Sequence, residues 1–148
     1  MEIRVLLPTE DAAEWMRMRR ALWPDVGDDD AQRRDVAAWR ARPDAVVLVT
    51  VRAGGAGLAG FAEVGARSIA DGCETSPVAY LEGWYVDADV RRRGVGTALV
   101  RAAEAWARAQ GYRELASDVE LPNVVSQQAH AALGFTEVGQ SVMYCKVL

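Results

Sequence analysis

The sequence is poor in the side chains that bind metal ions. It has one histidine and two cysteines, and Cys73 and Cys145 lie far apart in a spacing that matches no metal-binding pattern. A structural zinc site needs four ligands, which this set cannot supply. We therefore predict no metal site and two reduced thiols, as in a cytoplasmic protein.

Segments that direct a chain into a membrane are also missing. No basic stretch followed by an apolar one opens the sequence, and no long uncharged apolar run occurs in it. The 17 basic and 21 acidic side chains give a formal net charge of −4, which argues against binding to nucleic-acid phosphates. We expect a cytoplasmic protein with no membrane or nucleic-acid partner. The acidic balance is compatible with a cationic substrate, although it is also ordinary for a cytosolic protein.

The length of 148 residues fits one domain, and we predict that residues 1–148 form it. The first element is predicted as a short apolar strand at residues 1–8, followed by a helix that Thr9 would cap. A second helix is predicted to begin near residue 28, with Asp29 and Gln32 as a capping box.

The middle of the chain has the pattern of a β-hairpin. Residues 45–51 are apolar and β-branched, which predicts a buried strand. Glycines at 54–55 predict a turn into a third strand at 57–64. Small and polar residues at 65–77 predict an exposed loop.

The second half predicts a fourth strand at 78–86, with Gly83 in its interior. Glycine weakens a strand, so a bulge or a close backbone approach is expected there. The later elements are predicted as a helix from residue 96 to a cap at Gly111, a strand at 114–117, a helix at 124–133 and one or two closing strands at 136–147. This order implies a mixed α/β sandwich and not a doubly wound sheet.

The most informative segment is residues 86–100, where a strand leads through an arginine–glycine turn into a helix. The first N–H groups of a helix are unpaired and carry partial positive charge. Gly94 and Gly96 leave room beside them, so a pyrophosphate is the natural ligand. Thr97 has no lysine before it, which excludes a P-loop, and Leu99 replaces the third glycine of the dinucleotide fingerprint. An ordinary helix start on a basic turn is the alternative.

Arg91, Gly94 and Gly96 follow the predicted strand directly, and in this the sequence resembles the GNAT family of acetyl-CoA-dependent N-acetyltransferases. The resemblance implies an α/β fold: a mixed sheet with a splayed central strand pair and flanking helices. It also implies acetyl-CoA as co-substrate, with pyrophosphate on the turn and pantetheine along the preceding strand. The residues so implied to bind acetyl-CoA are Trp84, Tyr85, Val86, Arg91, Arg92, Arg93, Gly94, Val95, Gly96 and Asn123.

A second match to the family lies at Asn123, Ser126, His130 and the LGF triplet at 133–135. His130 stands where many members have a tyrosine that often protonates the departing thiolate. Histidine, with an unperturbed pKa of about 6.5, could do the same. Packing beside the coenzyme is the other interpretation.

Short segments along the chain further resemble the aminoglycoside 6′-N-acetyltransferases, the antibiotic-resistance branch of GNAT. They are MEIR at 1–4, LWP at 22–24, DGC at 71–73, SPV at 76–78, LEG at 81–83, ASD at 116–118 and SQQAHAALGF at 126–135. The resemblance implies acetylation of an aminoglycoside antibiotic at its 6′-amine, resistance to the drug, and a homodimer.

By the same resemblance, Trp23, Glu82 and Asp118 contact the antibiotic. The chemistry agrees, because a sugar with several ammonium groups needs carboxylates around it. Glu82 and Asp118 are also the candidate catalytic residues, since either could accept the proton of the amine through water. The backbone N–H of Val86 is a candidate donor to the oxyanion. Without the resemblance, Trp23 would be an ordinary core aromatic and both carboxylates solvated strand ends.

The sequence departs from this branch at two places. Ile69 and Ala70 stand where an aromatic substrate contact is common, and Gly139 and Gln140 stand where a further acidic one is. Two alternatives stay open: a GNAT enzyme for a polyamine, a small amine or a protein lysine, and a coenzyme A-binding domain without catalysis.

Overall fold

The computed structural model describes residues 1–25 and 27–148. Within them lies one five-stranded sheet with the strand order β1-β2-β3-β4-β5. Neighbouring strands are antiparallel except β4 and β5, which are parallel, so the predicted mixed α/β fold is confirmed. The elements are β1 (Glu2–Val5), α1 (Ala12–Leu22), α2 (Asp29–Arg40), β2 (Ala45–Val51), β3 (Leu58–Arg67), β4 (Val78–Val86), α3 (Val95–Ala109), β5 (Leu115–Ser117) and α4 (Val124–Ala132).

The sheet separates two apolar clusters because successive strand residues point to opposite faces. On one face, Ala62 of β3 packs with Leu99 of α3. On the other, Phe61 packs with Trp15 and Met18 of α1, all fully buried. Among the described residues, none of the helices is long and apolar enough to cross a bilayer.

The start of α1 differs from the predicted one. The residue before the helix is Asp11, not Thr9. The Asp11 carboxylate accepts hydrogen bonds from the Arg4 guanidinium and from the backbone N–H of Leu7. An ion pair to β1 therefore determines where the helix begins, and sequence spacing does not display it.

The predicted capping box of α2 is also wrong. Asp28 caps the helix through a hydrogen bond from the Ala31 N–H to its Oδ1 (2.8 Å). Gln32 is buried, and its side chain accepts from Arg20 and donates to the backbone carbonyl of Met16. Packing between α1 and α2 thus takes the side chain that the capping box required.

Several strand predictions are confirmed, but β3 is longer than expected. β2 and β4 have the predicted bounds, and β2 and β3 form the predicted hairpin. β3 continues to Arg67, which lies opposite Val78 of β4, so the connecting loop begins only at residue 68. Pairing with β4 extends the strand across the small residues that predicted a loop.

The closing strands predicted at 136–147 are not formed, since residues 136–148 belong to no helix or strand. Their large apolar side chains are exposed: Val138, Val142, Met143, Tyr144, Val147 and Leu148. The apolar pattern on which the prediction rested is real. Within the described chain, however, this segment pairs with no strand of the sheet.

Candidate active site

A bulge interrupts the pairing of β3 with β4 at Glu82. Glu63 lies opposite Gly83 and Val64 opposite Leu81, so Glu82 is the extra residue of the bulge. This confirms the irregularity predicted from Gly83. A bulge re-aims the side chain that it carries, which is why bulges are frequent near active sites.

The Glu82 carboxylate is paired with Arg67, the last residue of β3. Nε of Arg67 donates to Oε1 at 2.8 Å and Nη2 donates to Oε2 at 2.6 Å. The guanidinium also stacks on Tyr80, with Cζ 3.4 Å from the ring centroid. The Tyr80 hydroxyl donates to Oδ2 of Asp118, just after β5. These four residues therefore form one connected chain, and it contains both carboxylates singled out from the sequence.

Burial and neighbouring charges shift the pKa values of Tyr80 and Arg67. Burial, reinforced by the Asp118 carboxylate, raises the pKa of Tyr80, so its hydroxyl remains a hydrogen-bond donor. Hydrogen bonds to Glu82 raise the pKa of Arg67 above its ordinary value, so the guanidinium stays charged.

Trp23 lies directly over Gly83, beside the bulge. A Cβ atom at Gly83 would be only 2.6 Å from Cη2 of the Trp23 ring. The ring makes an edge contact with Phe61 and has the guanidinium of Arg19 4.9 Å from its centroid. The structure thus brings Trp23 to the same part of the sheet as Glu82.

A buried ion pair lies beneath Trp23. Arg19 pairs with Glu63, and Nε1 of Trp15 donates to Glu63 Oε1 at 2.9 Å. Burial raises the pKa of Glu63, while the Arg19 guanidinium opposes that rise. The pair locks α1 to the sheet opposite Gly83.

β4 and β5 part beside the bulge, as predicted. They pair only from Ala79 to Leu81 and from Leu115 to Ser117, so β4 beyond Leu81 has no neighbour on that side among the described residues. Trp84 lies on this open stretch, and its Nε1 is buried without a hydrogen-bond partner in the described chain. An extended arm with amide groups could pair with such a strand edge.

The turn before α3, which the sequence predicts to bind phosphate, contains two residues with left-handed backbone. Arg92 and Gly94 have positive φ values of 61° and 79°, and α3 begins at the next residue. A Cβ at Gly94 would meet open space, whereas a Cβ at Gly96 would lie 3.0 Å from Cζ2 of Trp84. Gly96 therefore serves close packing of α3 on β4, and the open side of the turn is at Gly94.

Ion pairs fix the approach to this turn. Nε of Arg91 donates to the carbonyl of Val86 at 2.8 Å. The Asp87 carboxylate forms ion pairs with Arg17 and Arg52, with N···O distances from their Nη2 atoms to Oδ2 of 2.9 and 2.8 Å. Burial alone would raise the pKa of Asp87, but the two guanidinium groups outweigh it, and the pKa is lowered. The turn is thereby tied to α1 and to the end of β2.

Both ring nitrogens of His130 have partners inside the protein. Nδ1 lies 2.8 Å from the carbonyl of Ser126, and Nε2 lies 2.9 Å from Oγ of Ser117. The ring makes edge contacts with Trp84 and Phe135 at centroid distances of 5.4 and 5.1 Å. This environment favours the packing interpretation of His130.

Asn123 is the N-cap of α4, with its side-chain oxygen 3.1 Å from the backbone nitrogen of Ser126.

The sequence analysis did not find two residues of the group around Glu82, Arg67 and Tyr80. Tyr80 could have been found from its spacing of two from Glu82, which places neighbouring side chains on one face of a strand. Arg67 stood in a predicted loop, and its contact with Glu82 depends on the bulge.

Comparison with known proteins identifies the class. The family model described as "Acetyltransferase (GNAT) family" matches residues 12–135, and the chain belongs to this family. Acetyl-CoA is the co-substrate of GNAT enzymes, and the splayed strand, the unpaired indole N–H of Trp84 and the open turn at Gly94 suit it.

The individual relatives are more specific. The chain is 48% identical over 144 residues to "Aminoglycoside N(6')-acetyltransferase type 1" of Klebsiella aerogenes, covering 95% of this chain and 93% of that protein. It is 40% identical to the enzyme of the same name from Serratia marcescens, covering 97% and 98%. A solved structure of AAC(6')-Iy with the bisubstrate analog CoA-S-monomethyl-acetylneamine has a TM-score of 0.90 at 33% identity, covering 99% and 98%.

Proposed function

We propose that this protein transfers the acetyl group of acetyl-CoA to the 6′-amine of aminoglycoside antibiotics and so confers resistance to them. The observation that carries the proposal is the acidic group around the β4 bulge, where Glu82, Asp118 and Trp23 converge beside the splayed strands. The matches to the two relatives named aminoglycoside N(6')-acetyltransferase type 1 cover nearly the whole chain.

We assign different tasks to the two carboxylates. Both oxygens of Glu82 are paired with Arg67, so Glu82 is suited to holding an ammonium group at its outer edge. Asp118 is exposed, and Tyr80 uses only Oδ2, so Oδ1 can receive the proton of the amine through water. Trp23 covers a sugar ring with its face.

The reaction then needs few further groups. The neutral amine attacks the thioester carbonyl carbon and the C–N bond forms. The C–S bond then breaks, the nitrogen releases its second proton to solvent, and the thiolate takes a proton from solvent. We assign the oxyanion to the backbone N–H of Val86, and the coenzyme to the open edge at Trp84, Tyr85 and Val86 and the turn at 91–96 with Asn123. Holding both substrates side by side supplies much of the acceleration.

The test is acetyl transfer with a panel of acceptors. Purified protein, acetyl-CoA and one acceptor are mixed, and free thiol is measured. Aminoglycosides with a 6′-amine should react, whereas matched 6′-hydroxyl aminoglycosides should not. Reaction with spermidine or a lysine peptide but with no aminoglycoside would assign the protein to another acceptor. Coenzyme binding without turnover on any acceptor would indicate a non-catalytic domain.

We further propose a homodimer in which residues 136–148 pair with a second copy. Four of the exposed side chains there are Val142, Met143, Tyr144 and Val147, exposed by 76, 93, 92 and 90%. The outer edge of β5 is unpaired in the described chain, and a free strand edge together with an exposed apolar segment favours self-association. A two-fold axis would satisfy both copies at once.

Light scattering tests the dimer. The full chain should have twice the monomer mass at micromolar concentration, and a Val142→Lys/Tyr144→Lys variant should have the monomer mass. A monomeric full chain would contradict this part of the proposal.

We also propose that residues 1–148 act as one domain in the cytoplasm, where acetyl-CoA is available. Cell fractionation tests the location.

A further inference from the structure

Arg67 lies between the two carboxylates of the proposed substrate site. Its guanidinium donates from Nε and Nη2, along one edge, to the two carboxylate oxygens of Glu82 and stacks on the ring of Tyr80, whose hydroxyl donates to Asp118. Stacking and two hydrogen bonds keep this cation in place, although its side chain is 44% exposed. A fixed positive charge in a site for a polycation needs a reason, because by itself it repels the substrate.

Arg67 is the positive charge that offsets the carboxylates of Glu82 and Asp118, because the other charged groups nearby are paired with each other. From α1 and β3, Arg19 and Glu63 pair with each other and contribute no net charge. From the segment before β2, Arg42 pairs with Asp44 and donates to the carbonyl of Ala66. The remaining groups are Tyr80 and Glu82 of β4, Asp118 after β5 and Arg67 of β3. With Arg67 this remainder carries one net negative charge, and without it two.

The chemistry of the acceptor explains why a smaller negative charge helps. An amine arrives as ammonium but attacks only after losing a proton. Two uncompensated carboxylates would stabilise the ammonium form and so raise the pKa of the acceptor amine. Each unit by which that pKa rises removes about nine-tenths of the reactive neutral amine at a given pH below it. Tighter binding obtained in this way slows the chemical step.

We propose that Arg67 offsets the charge of Glu82, so that an acceptor ammonium bound between Glu82 and Asp118 still loses its proton near neutral pH. The inference rests on the proposed function. The first proton passes to water at Asp118, and the freed nitrogen lone pair forms the C–N bond as the C–S bond breaks. The nitrogen then loses its second proton to solvent, and the thiolate that leaves is protonated by solvent. Arg67 acts through Glu82 and is a positioning residue.

The test is the pH dependence of single-turnover acetylation of a 6′-amino aminoglycoside with both substrates saturating, which reports groups in the ternary complex. Arg67→Met removes the guanidinium and its charge but keeps an unbranched apolar side chain beside Tyr80. We expect its rate to rise with pH at a midpoint about one unit higher than in the wild type, the shift expected for loss of one nearby charge in a partly solvated site. At pH 7 the rate should be roughly tenfold lower than in the wild type, and by about pH 9 it should recover. KM for the antibiotic, measured separately by steady-state kinetics, should fall.

Three further variants complete the experiment. Arg67→Lys should keep the wild-type midpoint. Arg42→Met, which removes an arginine beside the same strand, should change neither midpoint nor KM. Glu82→Gln leaves the charge of Arg67 uncompensated, so its midpoint should move to lower pH. If Arg67→Met does not fold, Glu82→Gln still tests the effect of the Arg67 charge on the acceptor amine, because Arg67 is kept in that variant.

The outcomes separate the inference from the proposed function. An Arg67→Met enzyme with a raised KM and an unmoved midpoint, or a Glu82→Gln enzyme whose midpoint does not fall, would show that Arg67 only supports the structure. A wild-type protein that acetylates no aminoglycoside would overturn the proposed function and this inference with it.

Discussion

Trp23 occupies the space that a side chain at position 83 would need. A Cβ atom there would lie 2.6 Å from Cη2 of Trp23 and 3.2 Å from Cε2 of Phe61. The absence of a side chain in the middle of β4 therefore lets an aromatic ring from the end of α1 reach the bulge beside Glu82. The bulge and the aromatic contact thus lie at neighbouring residues of β4.

Gly83→Ala should displace Trp23, because the paired strand cannot retreat. Overpacking costs about 1–3 kcal/mol, and we expect kcat/KM for an aminoglycoside to fall roughly ten- to a hundredfold. Acetyl-CoA affinity, measured by calorimetry, should stay within about twofold. Gly139→Ala is the control, since a Cβ there meets nothing within 4 Å. Full activity of Gly83→Ala would remove Trp23 from the substrate site.

Glu82→Gln and Asp118→Asn should each lower kcat/KM for a 6′-amino aminoglycoside by roughly ten- to a hundredfold. A hydrogen bond to a charged group is worth about 1.5–3 kcal/mol, and the amide keeps the shape without the charge. Steady-state kinetics with calorimetry of acetyl-CoA binding should show that the coenzyme is unaffected. Binding of the antibiotic should also weaken with salt. Unchanged activity in both variants would mean that other residues anchor the substrate.

Arg93→Glu should weaken acetyl-CoA binding by roughly tenfold or more, because it places a carboxylate at the turn that meets the pyrophosphate. Arg101→Glu on the exposed surface of α3 reverses a charge outside the turn and should leave the affinity nearly unchanged. Calorimetry compares the two. Gly96→Glu should also block the coenzyme, but its side chain would strike Trp84 first, so it is a less specific test. Equal affinities of the two arginine variants would contradict the turn assignment.

His130→Ala should slow acetyl transfer by much less than a hundredfold, while lowering the melting temperature. The ring is bonded at both nitrogens and packed between two aromatic side chains, so its loss leaves a cavity. Single-turnover rates and thermal unfolding separate the two effects. A hundredfold slower rate in a stably folded variant would make His130 the general acid.

Acid should destabilise the protein through Asp87. Its pKa in the folded state lies below the ordinary value of 3.8, so its contribution to stability is present above about pH 4. That contribution is lost as the pH falls through the folded pKa. Asp87→Asn should lower the free energy of unfolding at pH 7 by about 1–3 kcal/mol and flatten its dependence below pH 4. Denaturant titrations over this range measure both, with the exposed Asp89→Asn as control; equal effects would show that burial of Asp87 is unimportant.

Local pattern predicted most of the fold. Runs of β-branched residues at β2 and β4 mark buried strands whatever surrounds them, and Gly111, with φ of 88°, ends α3 because glycine adopts this conformation readily. The predicted start of α1 and the predicted end of β3 were wrong, since an ion pair to β1 decides the first and pairing with β4 decides the second. The closing strands were predicted from an apolar pattern, but a strand also needs a neighbour.

The sequence by itself determined the family, the turn before α3 and the irregularity at Gly83, because each depends on which residues stand next to one another. Only the tertiary structure decided what surrounds Glu82. Arg67 and Glu82 are 15 residues apart and not directly opposite each other in the sheet. They meet because an extra residue in β4 turns one side chain toward the end of β3, and long-range contacts of that kind leave no periodic signal in a sequence.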